Sequence, residues 1–221
     1  MKVGLFFGTF DPVHNGHVTI AETAISTNLI DQVWFVVTPQ SPFKKNSIIS
    51  SKEHRLKMVD IAIHRYSNFF SSNVEFELET PQYTFKTLSF LESKFKSKHE
   101  FSLIMGLDNY ISLVKKEWRH SDYILNKYHM FIYERHTDNH LRADLHLLGL
   151  VFSDHHVRLT GSSIKISSSQ IRELLYYKNN LLKSCNNNRH NISLSNQQLD
   201  SFLPKKVLEY IEKNELYLSV K

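Results

Sequence analysis

Cysteine is almost absent: Cys185 stands alone among 221 residues. That excludes a disulfide framework, and a zinc site built on cysteines, within one chain. No apolar run approaches the ~18 residues of a membrane span. The opening MKVGLFFGTFDP has too short an apolar part for a signal peptide and no small-residue cleavage site. A cytoplasmic protein is therefore expected. Glycine is scarce as well, with 6 residues where average usage would give roughly 15. Three of the six (Gly4, Gly8 and Gly16) fall at the very start of the chain. A chain this sparing with glycine places it where the backbone must turn sharply or approach a ligand closely. Proline is equally rare, at 5 residues.

What is present is an ordinary globular composition, 41% hydrophobic, with a net charge of +5 and a pI near 9.1. The basic balance suits nucleotides, phosphates or RNA without choosing among them. The densest basic stretch, Lys94 to His99, reads as lysines closing a helix, since aromatic interleaving stops at Phe95. The length fits one domain over 1–221. Residues 178–203, rich in Asn, Ser and Gln, read as a polar insertion, partly mobile, before a closing helix at 204–214.

Continuous apolar runs at Lys2–Phe7, Val33–Val37, Phe101–Met105 and His129–Tyr133 predict buried strands. A short strand is expected at His156–Thr160. Val74 to Glu79 alternates apolar and acidic residues, the pattern of a half-exposed strand. Helices are expected over Asn15–Thr27, Ser51–His64, Thr84–Phe95 and Ser167–Tyr177. This alternation implies an α/β fold, a mainly parallel sheet with helices on both faces. Such sheets bind ligands beyond the carboxyl ends of their strands.

The first strand runs into Gly8-Thr9-Phe10-Asp11-Pro12-Val13-His14-Asn15-Gly16-His17, and a helix follows. This is neither a GxGxxG fingerprint nor a Walker loop. Its logic is still that of a phosphate site: Gly8 permits close approach, and the helix start offers unpaired N–H groups. His14 and His17 can donate to the same anion. Far downstream, Ser167 and Gln170 fit a capping box, which puts Arg172 within reach of an anion at that helix start.

GTFDPVHNGH resembles the (H/T)xGH signature of the nucleotidyltransferase superfamily, and Ile166-Ser-Ser-Ser-Gln-Ile-Arg172 resembles its ISSTxIR motif. Within that superfamily the chain is most similar to the bacterial nicotinate-nucleotide adenylyltransferases. The segments that carry this are His17–Glu22, Pro39–Lys44, Pro81–Leu88, Gly106–Asn109, Trp118 and the closing Leu203–Tyr217. Phe43 and Lys86 depart from the family's His and Asp, and the link before the closing helix is longer.

The resemblance implies a Rossmann-like nucleotidyltransferase fold. It implies transfer of AMP from ATP, with Mg²⁺ arriving on the ATP, to nicotinate mononucleotide, releasing pyrophosphate. By the same resemblance His14, His17, Lys44 and Arg172 hold the phosphates, with His17 on the α-phosphate. Main-chain N–H groups of Gly8, Thr9 and Phe10, with Gly106, Asp108, Ser167 and Ser168, would bind ATP. Thr84 and Trp118 would bind the acceptor, Trp118 by stacking, although a core role suits a tryptophan equally. No dedicated metal site is expected: His136, His140, His146, His155 and His156 lack compact ligand spacing. Neither nucleic acid nor membrane is an expected partner, and self-association stays open. The alternatives are adenylylation of nicotinamide mononucleotide or another phosphorylated acceptor, and a non-catalytic nucleotide or RNA binder.

Overall fold

In the computed structural model the described residues are 1–39, 50–134, 155–159, 166–183 and 197–218. The apolar run after Met1 becomes β1 (Lys2–Gly8), which lies at the centre of the sheet. On one side it pairs with β2 (Gln32–Val37), and beyond that lies β3 (Phe69–Ser72). On the other side it pairs with β4 (Glu100–Gly106), followed by β5 (Met130–Tyr133) and β6 (His156–Leu159). The order is β3-β2-β1-β4-β5-β6, every pair parallel. This is the order of doubly wound nucleotide-binding sheets, and it opens a crevice where the winding reverses, between β1 and β4.

Alternation along each strand feeds two cores. Phe6, Phe35, Ile104 and Phe131 face one side, where α1 (Asn15–Ser26), α2 (Lys52–Ile63), α6 (Ser168–Lys183) and α7 (Lys205–Lys213) pack. Leu5, Val36, Leu103 and Ile132 face the other, covered by α3 (Thr84–Phe95), α4 (Leu107–Val114) and α5 (Ser121–Lys127). Each helix buries one face: Val18, Ala21 and Ala24 in α1, Leu88 and Leu91 in α3, and Val207 and Ile211 in α7.

Three expectations are corrected. The strand expected at Val74–Glu79 is a 3₁₀ turn over Val74–Phe76, and the edge strand is Phe69–Ser72. The alternation misled because Glu75 points inward, 2% exposed, to accept from the Thr87 hydroxyl at 2.8 Å. Short helices α4 and α5 stand where no element was expected. The polar stretch is also narrower than its composition suggests. Helix α6 continues through Lys183, and 197–202 is helical, with Leu199 and Leu203 buried in the core. Cys185 lies outside the described residues.

Candidate active site

A cleft of about 870 Å³ opens at the carboxyl ends of β1 and β4. Its floor is the loop from Gly8 to His17. Gly8 is required here by packing, because a Cβ would come within 2.8 Å of the Phe10 ring. Phe10 takes φ 49°, a left-handed conformation costing a non-glycine residue roughly 1–2 kcal/mol. Burial of its ring against Phe6 and Phe35 offsets that cost.

The loop then enters α1 with His14 at the N-cap, 6% exposed. The His14 main-chain N–H donates to Nδ1 of His17 at 3.2 Å. This bond fixes the His17 tautomer: with Nδ1 accepting, Nε2 carries the proton and is the donor. The two imidazoles stack at 3.8 Å between centroids, and the Phe10 ring meets His17 edge-on at 5.0 Å. His17 is thus held by rings on two sides while remaining half-buried and lining the cleft.

The downstream motif is bonded directly to this loop. Ser168 Oγ donates to the Pro12 carbonyl at 3.0 Å, and Arg172 donates to the Asp11 carbonyl at 2.7 Å. The expected capping box is present. The Gln170 N–H donates to Ser167 Oγ at 3.3 Å, and the Ser167 N–H donates to Gln170 Oε1 at 2.9 Å.

Beneath the loop lies a buried polar layer that no sequence motif marks. Arg55, 1% exposed, donates to four main-chain carbonyls: Thr9 and Thr38 at 2.7 Å, Pro39 at 2.8 Å and Ser50 at 3.2 Å. Burial pulls its guanidinium below the ordinary value, opposed by the Asp11 charge. Tyr217 donates to Asp11 Oδ1 at 2.7 Å from the other end of the chain. Burial, and then the Asp11 charge, push the Tyr217 hydroxyl well above its ordinary range, so it remains a donor. Arg55 hides inside an amphipathic helix pattern, and Tyr217 is 206 positions from its partner. No local signal marks either contact.

Across the cleft stand Gly106, at the N-cap of α4, and Asp108 in its first turn. A Cβ on Gly106 would crowd the Asp108 carboxylate and meet the Tyr133 ring at 3.3 Å. The remaining wall is formed by Glu75, Gln82, Tyr83, Thr84, Trp118 and Arg119. Trp118 packs against the second core and also lines the cleft. The Arg119 guanidinium sits 4.4 Å over the Tyr83 ring. Lys86 is exposed on α3 and is not part of the wall.

Burial pushes the Glu75 carboxyl up to about 7, against the lowering effect of the Thr87 and Thr38 hydroxyls. The cleft therefore brings together His14, His17, Arg172, Gly8, Thr9, Phe10, Gly106, Asp108, Ser167, Ser168, Thr84 and Trp118. Lys44 lies outside the described residues. Among the described residues no group of three or more His, Cys, Asp or Glu could hold a metal ion. Nor is any helix there long and apolar enough to cross a membrane.

Residues 5–174 match the cytidylyltransferase-like family. A probable nicotinate-nucleotide adenylyltransferase of Flavobacterium johnsoniae is 37% identical over 217 residues, covering 98% of this chain and 99% of its own. The nicotinate-nucleotide adenylyltransferase of Bacillus subtilis is 32% identical over 218 residues, 99% of each chain. The Plasmodium falciparum nicotinic acid mononucleotide adenylyltransferase complexed with NaAD shares the fold, with a TM-score of 0.70 at 18% identity over 98% of this chain and 97% of that one. With two distant motifs bonded across one crevice and relatives matched end to end, the chain belongs to the nicotinate-nucleotide adenylyltransferases, within the cytidylyltransferase-like family.

Proposed function

We propose that this protein transfers AMP from ATP to nicotinate mononucleotide, giving nicotinate adenine dinucleotide and pyrophosphate. The observation that carries the reading is the joining of GTFDPVHNGH to ISSSQIR around the cleft, through Ser168 and Arg172. An oxygen of the acceptor's phosphate attacks the α-phosphorus in line, forming one P–O bond as the α–β bridge breaks. The attacking phosphate is already ionised, so no general base or enzyme nucleophile is needed. Positioning and charge stabilisation remain.

His17 Nε2–H donates to the α-phosphate as its charge grows, its direction set by the Nδ1 bond. His14 and the N–H groups of Gly8, Thr9 and Phe10 hold the neighbouring phosphates. Arg172 and Lys44 take the departing pyrophosphate. Gly106, Asp108, Ser167 and Ser168 hold the adenosine. Carried on the ATP, Mg²⁺ would supply neutralisation of phosphate charge, beside the charge that His14, His17, Lys44 and Arg172 bring. Thr84 and Trp118 receive the pyridine ring. The Arg119 cation beside them favours a carboxylate over a carboxamide.

The test is pyrophosphate release with ATP and Mg²⁺, with nicotinate and nicotinamide mononucleotides run side by side. Preferential turnover of the nicotinate form is expected. No turnover of either acceptor refutes the reaction, and a nicotinamide preference refutes the stated specificity.

A further inference from the structure

The acceptor wall is clasped together by rings. Arg119 and His120, at the turn into α5, rest on alternate residues of the Tyr83–Phe85 segment at the start of α3. The Arg119 guanidinium sits 4.4 Å over the Tyr83 ring, and the His120 imidazole stacks on Phe85 at 4.0 Å. His120 takes φ 59°, a left-handed conformation, and Ser121 Oγ donates to the Trp118 carbonyl at 2.6 Å. Thr84 lies between the two rings in sequence and Trp118 precedes the two clasping side chains; both line the cleft. The clasp therefore ties the two proposed pyridine contacts to one cation.

That cation is open to the cleft. Arg119 is exposed and lines it, and among the described residues it has no carboxylate partner. Glu117, on the other side of Trp118 in sequence, accepts from the Ser112 hydroxyl instead. Arg119 and Arg172 are the two lysine or arginine residues among the described residues that line the cleft. Arg172 is bonded to the Asp11 carbonyl of the phosphate loop. Nicotinate mononucleotide carries two anionic groups. Its phosphate must lie at that loop to attack the α-phosphorus, which leaves the pyridine carboxylate for the other end. We propose that Arg119, seated on Tyr83, is the specificity-determining residue of the acceptor site and pairs with the pyridine carboxylate. This rests on the function proposed above and deepens it. Discrimination is two-sided: the guanidinium attracts the carboxylate, and in nicotinamide mononucleotide it meets a pyridinium whose positive charge no carboxylate offsets. The Tyr83 face holds the guanidinium in place, so less side-chain freedom is lost when the anion arrives.

The experiment crosses enzyme variants with the two acceptors. Pyrophosphate release is measured with nicotinate and nicotinamide mononucleotides for the wild type, Arg119→Gln, Arg119→Lys and Tyr83→Leu. In Arg119→Gln, kcat/KM for nicotinate mononucleotide should fall about 10- to 100-fold, the range of a charge-assisted hydrogen bond. The loss should fall on KM, because the carboxylate keeps its charge while the α-phosphorus reacts. For nicotinamide mononucleotide kcat/KM should hold or rise, by up to about threefold, as the repulsion goes. Arg119→Lys keeps the charge without the planar fork, so its preference for nicotinate should stand between those of the wild type and Arg119→Gln. Tyr83→Leu removes the platform and should lower the preference about two- to fivefold.

A fall of equal size for both acceptors would make Arg119 a structural part of the wall and overturns the proposal. So does an unchanged preference in Arg119→Gln, which would leave the carboxylate to other donors, and so does a lysine variant that recovers none of the preference. If Tyr83→Leu does not fold, the Arg119 arms decide the matter, since that side chain is exposed and its replacement leaves the core intact. Failure of the proposed function looks different: the wild type would then not turn over nicotinate mononucleotide itself, and the role of Arg119 would fall with it.

Discussion

Replacing Glu75 with Gln should make the protein more stable in mild alkali and leave the comparison in mild acid nearly unchanged. The carboxyl sits under the loop between β3 and α3, and burial raises it from 4.5 to about 7. Between those values the folded chain holds a proton that the unfolded chain has released. Stability therefore falls as pH rises through that window and levels off above it. From pH 5 to pH 8 the loss attributable to Glu75 is roughly 2 to 3 kcal/mol. A glutamine cannot ionise, yet its carbonyl still accepts from Thr87. Any fixed cost of its buried amide is the same at both pH values and cancels in the comparison. Urea unfolding of both proteins at pH 5 and pH 8 measures the quantity directly. Subtraction removes the histidines, which titrate alike in both. In melting temperature the relative gain at pH 8 corresponds to about 5–10 °C for a chain of this size. A difference between the two proteins that does not change with pH would refute the account of Glu75 as a proton-holding buried acid.

The other predictions concern the loop itself. His17→Ala should reduce turnover by at least 10²- to 10³-fold while shifting the melting temperature only slightly, because the ring is half-buried and its removal leaves no buried charge. Near-normal turnover, read by pyrophosphate release, would remove His17 from its assigned role. Tyr217→Phe deletes one oxygen and removes the hydroxyl that donates to the buried Asp11 Oδ1. It should destabilise the protein by about 1–3 kcal/mol and raise the KM for ATP, since the Asp11 carbonyl anchors Arg172. An unchanged urea midpoint would show that the contact carries no stability.

How much of this was legible in the sequence depended on where the determining interactions lie. The central strands declared themselves because burial on both faces demands unbroken apolar runs, as in Val33–Val37. Phe69–Ser72 did not. It is an edge strand of four residues, with Phe70 left 42% exposed, and so has neither length nor pattern. Helices α4 and α5 span eight and seven residues, too short for helical periodicity to separate from loop. Glu75 was placed on the wrong face because alternation assumes that a carboxylate seeks water. Here a threonine twelve positions later draws it inward.

The site was more legible than the fold around it, for a physical reason. A loop that must hold phosphates at a helix start tolerates few residue types, so GTFDPVHNGH is informative by itself. A serine-rich helix cap is not, since most helices could use one. The structure explains why the two together signify more than either. The serine motif does not merely sit near the loop; its hydroxyl and guanidinium occupy the carbonyls of Pro12 and Asp11. Arg55 and Tyr217 then satisfy the Thr9 carbonyl and the Asp11 carboxylate from below. With those groups bound from behind, the turn at Gly8–Phe10 is held from segments far apart in sequence. Those same bonds rigidify it at the place where misplacement by about 1 Å would cost the in-line geometry.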